Sequence, residues 1–323
     1  MKNFYKSCSK IFRVLALSLM GFAALKSFAQ PVSETLYVPR AVQVTGPVYA
    51  IVGPLGQRSP ANAGLNANYG FVVSTHGVIL IDSGASAHSA ALLAQAVKAV
   101  TSKPIRWVMN TGSQDHRWLG NGYFAAQGAE VHALAGTVQT QQAFASQQVT
   151  GLQRFLGDQL QGTVPRYASA VHPGPEKTLE IDGVHIQWIT TNAHFPGDTM
   201  IHLPAHKLTF AGDLVYVDRM LGVLPQSNVR LAQAAFAKLQ ALQPQHLVPG
   251  HGRVTDMAQA KRETGDYYAF LIEKVGSAAR DMEPMGETLN NLAQPPAFLH
   301  LQNFDELHRA NMSRVFVDFE ANP

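Results

Sequence analysis

Cysteine is almost missing from this chain. Among 323 residues Cys8 is the only one, and it falls in the N-terminal leader, too early for a lipoprotein box. The mature protein therefore forms no disulfide and offers no thiolate as ligand or nucleophile. Long hydrophobic runs are equally scarce. The apolar stretch from Val14 to Leu25 follows Lys2, Lys6, Lys10 and Arg13 and precedes the small residues Ser27 and Ala29; it is shorter than the ~20 residues that span a bilayer. These features predict a secretory signal over residues 1–29 and a periplasmic or secreted mature protein with no stable membrane span.

A surplus of positive charge is absent too, once the leader is set aside. Its five basic residues (Lys2, Lys6, Lys10, Arg13, Lys26) leave 20 of the 25 to face 22 acidic ones, a net charge of about −2. With no basic cluster left, nucleic acid and anionic membrane are not expected partners, and a small-molecule substrate is. Hydrophobic residues make up 46% of the chain, ample for a buried core.

What is present is an alternation of strands and helices in two halves. Val48–Val52, Tyr69–Val73 and Gly77–Asp82 read as strands, the last two joined by a Ser-Thr-His-Gly turn. Gly53–Asn68, rich in Gly, Asn and Pro, reads as a loop overhanging a site. An Ala/Leu-rich amphipathic helix follows Ser86 or Ser83 as its N-cap and runs to about Val100, before a buried strand at Ile105–Met109. A helix from about Asn121 to Gln127, a strand at Glu130–Ala133 and a long helix over Thr137–Leu160 complete the first half. After Pro173-Gly174-Pro175, strands are predicted at Lys177–Ile181 and Val184–Thr190 around an Asp182-Gly183 hairpin turn. Strands at Met200–Leu203, Leu208–Phe210 and His246–Val248 and helices at Leu231–Leu242 and Asp256–Asp281 follow. The expectation is one domain over 30–323, its two αβ halves joined near 173–175.

Five short signals stand at strand ends beside glycine: Leu80-Ile81-Asp82-Ser83-Gly84, Asn110-Thr111, Ala193-His194-Phe195-Pro196-Gly197-Asp198, Ala211-Gly212-Asp213 and Pro249-Gly250-His251-Gly252. In this order and spacing they resemble the metal-site loops of the metallo-β-lactamase superfamily, over nearly the whole mature chain. The run Asn303–Phe316 is similar to the tail of a secreted branch of zinc metallohydrolases associated with quinoprotein systems. The resemblance implies an α/β fold, a four-layer αβ/βα sandwich with a metal cleft at one edge of its two sheets.

The chain departs from the family in the loop after Asn110-Thr111, where members carry His-x-His-x-Asp-His. With Asp115-His116 placed on Asp-His, the first-metal positions become Thr111 and Ser113, poor zinc ligands. With the flanking Asn110-Thr111 and Gly120-Asn121 aligned, no gap is needed, and the sites read Gly112, Gln114, His116 and Arg117. In both registers a first-metal histidine is lost and His116 stays at the cleft. By the resemblance, His116, Asp213 and His251 supply three ligands to one zinc ion, with Asp115, His194 or Gln114 as further candidates. His88, one turn into the first helix, is a substitute candidate. Asp115 reads equally as ligand or as helix N-cap; Asp82 is expected to steady the loop by hydrogen bonding, and Arg117 to be a surface or rim cation.

The implied activity is that of an exported zinc-dependent hydrolase. A site with three protein ligands and an open position lowers the pKa of bound water to ~7, supplying hydroxide against an ester, thioester or amide-like bond. His194 and Asp115 are the catalytic candidates. Loss of the loop histidines supports the alternative, a metal-poor relative that binds a ligand without turning it over.

Overall fold

The computed structural model describes residues 36–323; the expected signal lies outside the described residues. A seven-stranded sheet comprises β1 (Ala41–Thr45), β2 (Val48–Ile51), β3 (Tyr69–Val73), β4 (Val78–Ile81), β5 (Ile105–Met109), β6 (Glu130–Leu134) and β7 (Ala170–His172), in that spatial order. A five-stranded sheet follows, in the order β12 (His246–Val248), β11 (Leu208–Phe210), β10 (Thr199–Leu203), β9 (Val184–Thr190), β8 (Glu176–Ile181). The chain passes from the first sheet to the second between His172 and Glu176. The helices are α1 (Ala87–Lys98), α2 (Asp115–Trp118), α3 (Asn121–Ala125), α4 (Ala135–Leu156) and α5 (Val229–Ala241), followed by a helical run over 257–280 interrupted by two π turns, then Met285–Asn291 and Phe304–Ala321.

Alternation along the strands separates the layers. In β4, Leu80 faces outward to Leu93 and Val97 of α1 and Phe124 of α3. Its neighbours Ile79 and Ile81 face inward and meet Trp188, Ile201 and Phe210 of the second sheet. On the far side, Met200 and Leu247 pack under Phe236 and Leu239 of α5 and under Phe316 and Phe319 of the last helix. Helix, sheet, sheet, helix is the metallo-β-lactamase sandwich. The sheets approach closely at Gly70, where an added Cβ would lie 2.1 Å from the Phe210 ring.

Local chemistry explains the boundaries. Ser86 caps α1 reciprocally with Ser89: Ser89 N donates to Ser86 Oγ (3.1 Å) and Ser86 N to Ser89 Oγ (2.8 Å). Asp182 (φ 47°) and Gly183 (φ 81°) make the tight hairpin turn expected between β8 and β9, pairing Ile181 with Val184. The edge strands β1 and β7 have no counterpart in the sequence reading, because their residues are half-buried or exposed and carry no burial pattern. Among the described residues no helix is long and apolar enough to cross a membrane.

Trp188 is fully buried between the sheets and donates its Nε1 to Thr199 Oγ1 (2.8 Å). Trp188→Ala is expected to lower the stability measured by denaturant titration by about 3–5 kcal/mol; a loss below about 1 kcal/mol would show that this contact does not hold the sheets together.

Candidate metal centre

Strand ends bring the site together. β11 and β12 are parallel neighbours with Phe210 opposite Val248, so the segments just beyond them, carrying Asp213 and Pro249-Gly250-His251, lie side by side. Gly250 permits that approach: a Cβ there would stand 2.0 Å from the Gly212 carbonyl oxygen and 2.6 Å from Asp213 Oδ1. From the first sheet, β5 leads into Asn110, whose side-chain amide exchanges hydrogen bonds with that of Asn121 (3.0 and 2.8 Å). The loop is closed at its base, and α2 is carried over Asp213. Trp118, fully buried, fixes α2 by donating to Gln148 of α4 (3.0 Å) and stacking on Tyr167.

His116, Asp213 and His251 form a buried cluster whose ligand atoms all lie within 4.8 Å of one another. Both rings present Nε2 to the same carboxylate: His116 to Oδ2 at 3.1 Å and His251 to Oδ1 at 3.3 Å. Their other nitrogens are held from behind. His251 Nδ1 donates to the Asn66 carbonyl (2.8 Å), which can only accept, so in the neutral ring its Nε2 lone pair points at Asp213. His116 has a carboxylate at each end, with Nδ1 3.2 Å from Asp115 Oδ1 and Nε2 on Asp213. Burial, only partly offset by Asp213, pushes the His251 pKa down to about 3, which keeps that ring neutral. The buried Nε2 lone pair of His251, the Nε2 of His116 and the Asp213 carboxylate form a set of N and O donors that fits a metal ion, with both histidines oriented from behind.

Arg117 lies at the centre and not at the rim, contrary to its reading as a surface or rim cation; it is 1% exposed. Its Nε donates to Asp213 Oδ2 (3.2 Å) and Nη2 to Asp213 Oδ1, while Nη1 reaches Asp82 Oδ2 (3.0 Å) and the Asn68 carbonyl (2.8 Å). Two carboxylates and backbone carbonyls compensate the desolvated guanidinium, which is why it can be buried. Burial opposes ionisation of Asp213, but Arg117 and His116 hold its carboxyl well below the usual range. The neighbouring buried Asp198 moves the other way, raised by burial and by Asp213. Asp82 also accepts from Thr111 N (2.7 Å) and Oγ1 (2.6 Å), so it braces the loop as expected.

The remaining candidates stand outside the cluster. Asp115 opens α2, with Gln114 at the N-cap, so the cap reading is displaced by one residue. Its carboxylate pairs with Arg58 and with His116 Nδ1. Burial raises its pKa, yet Arg58 and His116 outweigh this and leave it below the ordinary carboxylate range. His194 lines the cleft of about 150 Å³ above the cluster, together with Gln114 and Tyr216. Its Nε2 stands 3.4 Å from the Tyr216 hydroxyl. Burial, with His116 and Arg117 nearby, lowers its pKa to about 4. Gln114 Oε1 is buried there without a donor. His88 is exposed on α1, away from the cluster.

Sequence reasoning passed over four residues of the site. Arg58 and Asn66 come from the loop over 53–68, Tyr216 stacks on His251 (centroids 4.5 Å apart), and Arg219 lines the cleft. Their one signal was the prediction that this loop overhangs the site; Tyr216 and Arg219 sit in an otherwise apolar run that reads as core.

This chain belongs to the metallo-beta-lactamase superfamily, whose profile matches residues 63–251, more than half of its length. No curated protein matches the sequence. Among solved structures, it is similar to the metallo-beta-lactamase from Pontibacter korlensis (18% identity, TM-score 0.57, covering 72% of this chain and 99% of that one). DIM-1 metallo-beta-lactamase is comparable, at 18% identity and TM-score 0.56 over 72% of this chain and 98% of that one. The inverting sec-alkylsulfatase Pisa1 from Pseudomonas sp. aligns at 16% identity and TM-score 0.65, over 88% of this chain and 50% of that one. At these identities the likeness is one of fold.

Arg117→Met leaves Asp82 and Asp213 buried without their counter-charge and is expected to cost about 3–5 kcal/mol in denaturant unfolding of metal-free protein. Adding Asp82→Asn should recover part of the loss. A single variant as stable as the parent would contradict the electrostatic role of Arg117.

Proposed function

We propose that this protein is an exported zinc-dependent hydrolase that cleaves an ester, thioester or amide-like bond with one metal ion. The observation that carries the reading is the convergence of the His116 and His251 Nε2 atoms on Asp213, with each Nδ1 committed to an oxygen behind it. When bound there by His116, Asp213 and His251, zinc supplies Lewis acidity and acidifies a water. Arg117 meets both oxygens of Asp213, so a fixed positive charge on that carboxylate belongs to the protein.

The other residues orient and hold protons. Asp115 acts through His116, holding the ring from its Nδ1 side; with its carboxylate also on Arg58, its role is positioning and not proton transfer. His194, neutral at pH 7, hydrogen-bonds the Gly222 backbone and keeps Nε2 3.4 Å from the Tyr216 hydroxyl, so it orients that hydroxyl at the cleft wall. Gln114, with its unpartnered Oε1, is an acceptor at the same wall. A second reading, a ligand binder without turnover, is favoured by the loss of the family's loop histidines, whose places fall on Thr111 and Ser113 or on Gly112 and Gln114.

Mature protein supplied with zinc is expected to hydrolyse at least one member of a panel of ester, thioester and amide substrates, and His251→Ala to abolish both zinc binding and turnover. Asp115→Asn should weaken zinc affinity about 10–100-fold, the range for residues that orient a ligand. Turnover that survives both chelation and His251→Ala would contradict the metal-dependent reading; zinc binding without turnover on any substrate favours the binder.

A further inference from the structure

Two arginines line the cleft and a third, Arg117, lies beneath it; Arg58 is neutralised by Asp115, and Arg117 by Asp82 and Asp213. Arg219 is not. It is 4% exposed and lines the cleft beside His194, Tyr216 and His251. Among the described residues no carboxylate lies within ion-pairing distance of it. Its Nη1 reaches only the Gly56 carbonyl, at 3.3 Å, and its Nε is enclosed without any acceptor. The two acids that influence it from a distance are engaged elsewhere: Asp213 by Arg117, and Glu306 by Gln57, from whose Nε2 it accepts at 3.4 Å. The cleft lining contains no Asp or Glu at all, while it includes Arg58, Arg219 and three histidines.

A buried guanidinium without a counter-ion is a cost that folding alone does not repay. We infer that Arg219 is the seat for an oxyanion group of the substrate, a carboxylate, sulfate or phosphate carried beside the scissile bond. The substrate is accordingly an anion, held by Arg219 at one end while its reacting group faces the His116, Asp213 and His251 cluster. Burial lowers the pKa of Arg219, with Tyr216, Asp213 and Glu306 offsetting it incompletely; a bound oxyanion supplies the missing opposite charge.

This substrate assignment rests on the hydrolase reading above, so the seat is tested both with and without turnover. Inorganic sulfate is titrated calorimetrically into zinc-loaded protein and its Arg219→Met and Arg219→Lys variants. Sulfate should bind saturably to the parent, about tenfold or more weakly to Arg219→Met, and with intermediate affinity to Arg219→Lys. Because the methionine removes an unpaired buried charge, its unfolding temperature should equal or exceed the parent's; a merely structural arginine would show the reverse. For turnover, a neutral aryl ester is compared with the aryl half-ester of a dicarboxylic acid. Arg219→Met should raise KM for the anionic ester about tenfold or more relative to its effect on the neutral ester. Sulfate binding that depends on Arg219, in a protein that hydrolyses nothing, would support the seat and remove the hydrolase reading. Hydrolysis with no preference for the anion and no effect of Arg219→Met on sulfate would overturn the seat and leave the hydrolase intact. A lower unfolding temperature with unchanged sulfate affinity would overturn it as well.

Discussion

The structure of the site depends on how a single buried carboxylate, Asp213, is neutralised. It is 2% exposed and meets Arg117 through both oxygens on one side and two imidazole nitrogens on the other. A carboxylate this deep is stable only when its charge and lone pairs are matched. The guanidinium provides the charge on one side. On the other, His251 presents an Nε2 lone pair and His116 its own Nε2, which with the carboxylate make an N and O donor set suited to a metal ion.

The surrounding fold serves that arrangement from two directions. The second sheet delivers Asp213 and His251 from adjacent parallel strands, at a spacing set by backbone pairing and by the absence of a side chain at Gly250. The first sheet delivers His116 and Arg117 on one helical turn, braced by the Asn110 and Asn121 amides below and by Asp82 alongside. Sheet-to-sheet packing around Trp188 holds the two deliveries in register. A small shift between the sheets would separate His116 from Asp213 while leaving every local element intact.

Much of this was legible in the sequence, for identifiable reasons. β3, β5, β9, β11 and β12 match their apolar runs closely, since buried strands are continuous in hydrophobicity and end at turn residues. His116, Asp213 and His251 were legible because each follows a strand and stands beside glycine or within the loop after Asn110-Thr111. Arg117 was misread because arginine is rarely buried, and only the three-dimensional pairing with Asp82 and Asp213 permits it. The role of Asp115 depended on Arg58, 57 residues away in the chain, a contact that no local pattern announces. Edge strands β1 and β7, half exposed, lacked the alternation that marks their neighbours.

The central claim is that Asp213 is shared between one protein cation and one metal ion. Its most direct test is the zinc stoichiometry of mature protein, stripped with chelator, re-titrated against a competing indicator and checked by native mass spectrometry. One tightly bound equivalent is expected, with further zinc binding only weakly. Two equivalents of similar tight affinity would contradict the account, because they would require Arg117 to leave Asp213 or the cleft to hold ligands other than those assigned.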